Sequence, residues 1–463
     1  MKKIIALSLW VIVQHASAQV PDSDAVKKIS DEIFLNGHCY RNLEFLCKKA
    51  GPRLSGSLQA QKAVEICRNL MANYGFDTVY LQEVMVPHWE RGKKERGKIV
   101  PAKGEGKILE KGRKLDVTIC ALGGSIGTPE KGMAAGVVEV KNFEELKNLG
   151  REKVAGKIVF FNRPFDLAKF TTFEMYGGAV DQRSRGAIEA ARFGAVGAIC
   201  RSMTPAIDDF PHTGAMHYED SIQQIPFCAI STKDAELLSA LLKKSSKLKF
   251  FMKMNCRTLP DVKSWNVIGE IRGSQFPDEI IAVGGHLDSW DLGEGAHDDG
   301  AGCMQAIEIL RCFKALGLKP KRTIRAVMWM NEENGLRGGE EYAKRARQKN
   351  EKHILAIESD AGGFTPRGFS MTMPEDKKAK ILLWKDIFYP YGVYDFSRKG
   401  GGADIGPLER QGVPVMGLLP DSQRYFDYHH AATDIFENVN KRELELGAVT
   451  MAIMVWMVAE HGF

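Results

Sequence analysis

The segment GGHLDSWDLGEGAHDDGAG, residues 284–302, completes the apolar run IIAVGG (280–285) and carries His286 and Asp298. The same arrangement recurs downstream. IRAVMWM (324–330) precedes Glu332 and Glu333, ILAIES (354–359) precedes Asp360, and VPVMGLL (413–419) stands upstream of His430. Each short apolar run reads as a buried strand. Polar residues that leave successive strands at their carboxyl ends converge on one crevice of an open α/β sheet, where such folds place their sites. The pattern therefore predicts an α/β fold with a mixed central sheet flanked by helices. It also predicts a site built from His286, Asp298, Glu333, Asp360 and His430.

A chain of 463 residues with 44% hydrophobic content is long enough for two cores, one domain being inserted in the other. Residues 1–18 combine Lys2-Lys3, an apolar run from Ile4 to Val13 and Ala16-Ser17-Ala18, the layout of a cleaved signal peptide. That run is too short to span a bilayer, and Leu446–Ala459 reads as a buried terminal helix, so no membrane span is expected. The mature protein is expected to be exported. The nine cysteines include no CxxC pair, and Cys67, Cys303 and Cys312 fall in helical patterns while Cys200 and Cys228 fall in strand-like runs. Free buried thiols are expected.

The formal charge of +6 is modest, and its strongest cluster, residues 91–114, has ten Lys/Arg against three Glu. No aromatic residue is interleaved there for base stacking, so nucleic-acid binding is not expected. Gly and Pro punctuation points instead to exposed hairpins.

Residues 24–76 read as helical, with Ser57 as an N-cap, an apolar stripe of Ala63, Val64, Cys67, Leu70 and Met71, and Gly75 as the stop. From 115 to 250 the chain changes to short Gly/Ala-rich elements with few chemical residues. The expected division is a signal peptide (1–18), an N-terminal catalytic part (19–114), an αβ insert (115–250) and the main catalytic part (251–463).

Imidazole and carboxylate suit zinc, and two ions roughly 3.5–4 Å apart need a carboxylate that bridges them. Asp298 is the candidate bridge, because its Gly-flanked turn can aim a short side chain. Asp360 with His286 would complete one ion and Glu333 with a His of the His429-His430 pair the other. Adjacent Glu332 and Glu333 cannot both face the same way from extended backbone. Glu332 is accordingly assigned as the general acid/base beside the activated water. Asp288 is assigned to the second ring nitrogen of His286.

These residues stand in segments that closely resemble family M28 metallopeptidases, within them the carboxypeptidase Q-like group. The segments are GPRLSGS (51–57), VPHWERG (86–92), the 284–302 stretch, NEENGLRGGEEYA (331–343), ESDAGG (358–363), GGGADIGPL (400–408) and YFDYHHAATD (425–434). The resemblance implies two zinc ions per chain on His286, Asp298, Glu333, Asp360 and His430, with Glu332 as acid/base. It favours His430 over His429 because of Asp434 four residues on, and it implies a cis Asp298-Asp299 peptide. The insert is similar to a protease-associated domain, which in relatives shapes substrate access or a homodimer contact. Gly401, Gly402 and Asp404 become candidate substrate contacts. The implied activity is hydrolysis of dipeptides or short peptides. Two rivals are a glutaminyl cyclase-like acyltransferase, which uses one zinc, and a non-catalytic binding protein on the same scaffold, which would have lost ligands.

Overall fold

The computed structural model describes residues 22–101 and 116–463; the signal-like segment 1–18 and positions 102–114 of the basic stretch lie outside the described residues. The apolar runs pair into a seven-stranded sheet. In chain order its strands are β1 Thr78–Glu90, β2 Arg257–Ile271, β3 Phe276–His286, β4 Arg322–Trp329, β5 Lys352–Glu358, β6 Pro366–Thr372 and β7 Val415–Pro420. Their spatial order is β1-β2-β4-β3-β5-β7-β6. The four central strands are parallel, and β1, β2 and β6 add antiparallel edges.

The centre belongs to β3, with β4 on one side and β5 on the other. Both faces of its second half are covered, which is why it reads as a continuous apolar run and not as an alternation. The crossover from β3 to β4 goes one way and the crossover from β4 to β5 returns past β3. Strand order reverses there, opening a crevice beyond the carboxyl ends.

Helix Ala301–Ala315 connects β3 to β4 and is buried along nearly its whole length, because Ser23–Asn36, Cys39–Lys49 and Lys441–His461 pack over it. Among the described residues, Lys441–His461 is the one helix long and apolar enough to cross a membrane by length and composition, but 83% of its apolar window is buried inside the fold. A helix apolar all round is what a core position requires. Helix Leu58–Asn73 begins where Ser57 Oγ accepts the Ala60 N–H at 3.1 Å and ends before Gly75, whose φ of 69° reverses the chain. All nine cysteines are free and buried.

A second, eight-stranded sheet occupies the middle of the chain. Met133–Val140, Ile158–Phe161, Gly197–Arg201 and Phe227–Ile230 form its parallel centre. Its edges include Arg96–Val100, which pairs with Lys249–Lys253 and Asp116–Val117, so this unit draws a strand from the basic stretch upstream of residue 115.

The two units are joined through VPHWERG. Trp89 meets Trp290 edge to face at 6.4 Å and donates its indole N–H to the Ser125 carbonyl at 2.9 Å. Arg91 forks onto Asp291 at 2.6 and 2.8 Å, reaches Glu95 at 3.0 Å, and donates to Ala121 O at 2.6 Å and Thr213 Oγ1 at 3.2 Å. We expect Arg91→Ala to lower the unfolding free energy by about 3 kcal/mol, since Asp291 and Glu95 would lose their shared counter-ion in a mostly dry interface. Chemical denaturation measures this, and a loss under about 1 kcal/mol, the range of exposed pairs, would mean that apolar contacts alone hold the insert.

Candidate metal centre

His286 is the last residue of β3, Glu333 lies beyond β4, Asp360 lies two residues after β5, and His430 follows β7 through the short helix Tyr425–Tyr428. Asp298 sits in the turn that opens helix Ala301–Ala315. These five side chains meet at the crevice. Asp298 Oδ1 lies 3.1 Å from His286 Nε2, and Asp298 Oδ2 lies 3.3 Å from His430 Nε2. Asp360 Oδ1 is 3.3 Å from His286 Nε2, and Glu333 Oε2 is 3.1 Å from His430 Nε2. Against the cost of burial, the two histidines hold Asp298 well below the usual carboxylate range.

The donor chemistry suits zinc. Imidazole nitrogens and carboxylate oxygens lie within 4.8 Å of one another in overlapping groups, and Asp298 Oδ2 is buried without a hydrogen-bond donor. Burial, then the charge on Asp298, pushes Glu333 up to about 7, a repulsion that bound cations would offset.

Neighbouring groups fix these residues. The Asp298–Asp299 peptide is cis. Asp299 turns away from the crevice and accepts the His286 N–H at 3.1 Å and the Gly302 N–H at 2.9 Å. Gly285 and Gly302 make room for it, since a Cβ at either would stand 2.0 or 2.6 Å from its carboxylate. Asp434 accepts the backbone N–H of His297 at 2.7 Å and of Asp298 at 3.2 Å. Fully buried Arg53, from GPRLSGS, donates to the carbonyls of Leu287, Glu294 and Gly295 at 2.5–2.9 Å and so braces the loop between β3 and Asp298.

Asp288 departs from its expected role. Its backbone carbonyl, 3.0 Å from His286 Nδ1, takes the ring N–H, while its carboxylate is 3.9 Å away. That carboxylate instead accepts the Asn331 N–H at 2.6 Å and the Glu332 N–H at 3.1 Å. It thereby holds the Asn331 turn, at φ 80°, from which Glu332 and Glu333 project. Of that pair Glu333 reaches His430, and its other oxygen accepts the Trp290 N–H at 3.1 Å. Among the described residues, the Glu332 carboxylate makes no hydrogen bond or ion pair. Burial holds its pKa well above the usual range, with Asp360 and Glu333 adding to the shift against His286.

From Asp360 a cleft of about 1120 Å³ runs between the insert, at Phe170 and Phe173, and the catalytic unit, at Gly401, Gly402 and Lys399. Asp404 does not line it. It is fully buried behind the wall, where its N–H and that of Ile405 bond Glu358 at 3.3 and 3.0 Å. A side chain without accessible surface cannot meet a peptide in the cleft.

His429 stacks on His430 with ring centroids 3.5 Å apart, and its Nε2 is 3.8 Å from Asp298 Oδ2. It makes no contact with Glu333. The insert reaches the same loop: Thr213 O lies 3.3 Å from His430 Nδ1, Thr213 N–H donates to His430 O at 3.0 Å, and His212 Nδ1 lies 2.7 Å from His429 O. Sequence reading missed these contacts, because Thr213 and His212 stand in no apolar period and lie more than two hundred residues from their partners.

A carboxylate shared between two histidines at the carboxyl edge of a doubly wound sheet fits the metal centre of a metalloenzyme. Peptidase family M28 matches residues 266–455. The chain is 35% identical to carboxypeptidase Q of Bos taurus and 36% identical to that of Homo sapiens, each match covering 91% of this chain and 85% of the relative. A peptidase M28 precursor from Shewanella amazonensis superposes with a TM-score of 0.89 at 34% identity, over 95% of this chain and 97% of that one. A zinc aminopeptidase from Bacillus subtilis shares the fold at 20% identity, with a TM-score of 0.64 over 91% of this chain and 95% of that one. The chain belongs to peptidase family M28 and is a zinc metallopeptidase.

Because His430 contacts both Asp298 and Glu333, we expect His430→Ala to lower zinc affinity at least about tenfold, the effect of losing a ligand or its support, and His429→Ala to leave it within threefold. Competitive titration with a zinc chelator reads both. The reverse order would exchange the two histidines.

Proposed function

We propose that the protein is an exported dinuclear zinc exopeptidase that hydrolyses dipeptides or short peptides. The observation that carries this reading is the Asp298 carboxylate, whose two oxygens face two different histidines at 3.1 and 3.3 Å. In the proposed site His286 and Asp360 would hold one ion, His430 and Glu333 would hold the other, and Asp298 would serve both. Zinc, if bound there, would supply Lewis acidity to the reaction.

The chain's own residues do the rest. Glu332, whose carboxylate has no competing partner, takes a proton from the attacking water as the new C–O bond forms. It then delivers that proton to the amide nitrogen as the C–N bond breaks. Asp288 keeps Glu332 in place by gripping its backbone N–H at 3.1 Å. Gly401 and Gly402 line the cleft, and as glycines they let its wall close against Val415 and Glu358, 2.7 and 2.3 Å from where a Cβ would stand.

The cleft walls, one of them from the insert, leave about 1120 Å³, which suits a short peptide and not a folded chain. The likeness to carboxypeptidase Q and to a zinc aminopeptidase supports an exopeptidase. The signal-like layout of residues 1–18 supports export. Five donors argue against a single-zinc cyclase, and the presence of both ligands and base argues against a binding protein.

Glu332→Gln should keep both zinc ions and leave KM within about threefold, while turnover falls by at least about 10²-fold, because an amide cannot accept the proton. Steady-state hydrolysis of a dipeptide panel with free and blocked termini, with zinc content measured in parallel, tests this. Turnover within about tenfold of the parent, below what general-base loss removes, would exclude Glu332 as the base.

A further inference from the structure

The insert places a buried guanidinium against the metal centre without a direct carboxylate partner among the described residues. Arg183, 5% exposed, donates through NH2 to Tyr176 Oη at 2.7 Å and through NH1 to the Thr213 carbonyl at 3.4 Å. NH1 also lies 3.4 Å from His430 Nδ1. Its Nε is buried without an acceptor, and among the described residues it forms no ion pair. Gly214, at φ 133°, leaves space for the guanidinium, since a Cβ there would stand 2.4 Å from it. An unpaired buried charge is strongly unfavourable unless something supplies the counter-charge. A site that receives an anion only during turnover would do so.

Tyr176 is the partner of this cation on the insert. Its oxygen accepts from Arg183, so its own proton remains free to donate, and no described protein group accepts it. The ring is held edge-on to His429 at 5.3 Å and stacked on Phe426 at 4.8 Å. Burial raises the phenol pKa; Arg183 opposes this, and the charges of Glu332 and Asp298 add to it. The hydroxyl therefore stays protonated, and it stands within the electrostatic reach of both the base and the bridging carboxylate.

We propose that Tyr176, oriented by Arg183, donates a hydrogen bond to the negative oxygen that develops on the scissile carbonyl. This rests on the peptidase reading above. The insert then supplies a catalytic hydroxyl to the other unit, and Arg183 acts as a positioning residue. No bond to protein forms; the phenol keeps its proton throughout.

Tyr176→Phe removes only the hydroxyl and keeps both ring contacts. The expected result is a fall of about 10²-fold in kcat, typical for one oxyanion donor, with KM within about threefold and zinc content unchanged. Affinity for a dipeptide phosphinate, whose tetrahedral P–O⁻ imitates the developing oxyanion, should fall by a similar factor in calorimetry. Affinity for the product amino acid should not. Arg183→Met should lower kcat and phosphinate affinity, and in combination with Tyr176→Phe should add little, because both act through one hydrogen bond. A zinc-loaded Tyr176→Phe enzyme with kcat and phosphinate affinity both within threefold of the parent overturns this inference alone. A parent enzyme that hydrolyses no dipeptide overturns the peptidase reading and this inference with it.

Discussion

Two imidazoles, one from the central strand and one from a loop near the C-terminal end, face opposite oxygens of the Asp298 carboxylate at 3.1 and 3.3 Å. Holding a short side chain between two partners demands that its backbone be fixed from several directions. Asp434 grips the Asp298 N–H, Asp299 ties the same turn to the His286 N–H, and Arg53 braces the loop before it through three carbonyls. Gly285 and Gly302 are glycines because Asp299 occupies the space of their side chains. The local sequence of GGHLDSWDLGEGAHDDGAG is thus set by the placement of one carboxylate.

The same placement accumulates negative charge away from water. Burial drives Glu358 and Asp434 up to about 7, and Glu332 and Asp404 well above their usual range. His286 and His430 balance only part of it. A centre of this kind is electrostatically expensive when metal-free, so cation binding is coupled to the stability of the crevice. The insert joins this arrangement and does more than overhang it. Arg91 and Trp89 lock it to the catalytic unit, and Thr213 and His212 then reach the backbone and ring of the His429-His430 pair. Under the proposed function, substrate access and ligand geometry would therefore depend on one interface.

Much of the central sheet was legible because parallel strands buried on both faces must be continuous apolar runs, and IIAVGG, IRAVMWM and ILAIES are such runs. The residues after them were legible for the same reason: polar groups placed directly after a buried strand have only the crevice to enter. What stayed hidden depended on distance in the chain or on backbone atoms. Arg96–Val100 read as part of a charged hairpin, yet alternate residues face a sheet whose other strands begin some twenty residues later. Asp288 was assigned to the His286 ring through its carboxylate, but the contact falls to its backbone carbonyl, and periodicity cannot tell the two apart. Asp404 stands just after Gly400–Gly402 and was a candidate substrate contact, yet the turn carries it behind Glu358. Tyr176, Arg183 and Thr213 carry no motif and acquire a role only through packing.

The account stands on two ions sharing Asp298, and the most direct measurement is zinc content per chain by mass spectrometry combined with X-ray absorption at the zinc edge. Saturated protein should hold two zinc ions per chain and show a metal–metal vector of about 3.5–4 Å with nitrogen and oxygen ligands only. Saturation at one zinc, with no metal–metal scattering, would contradict it.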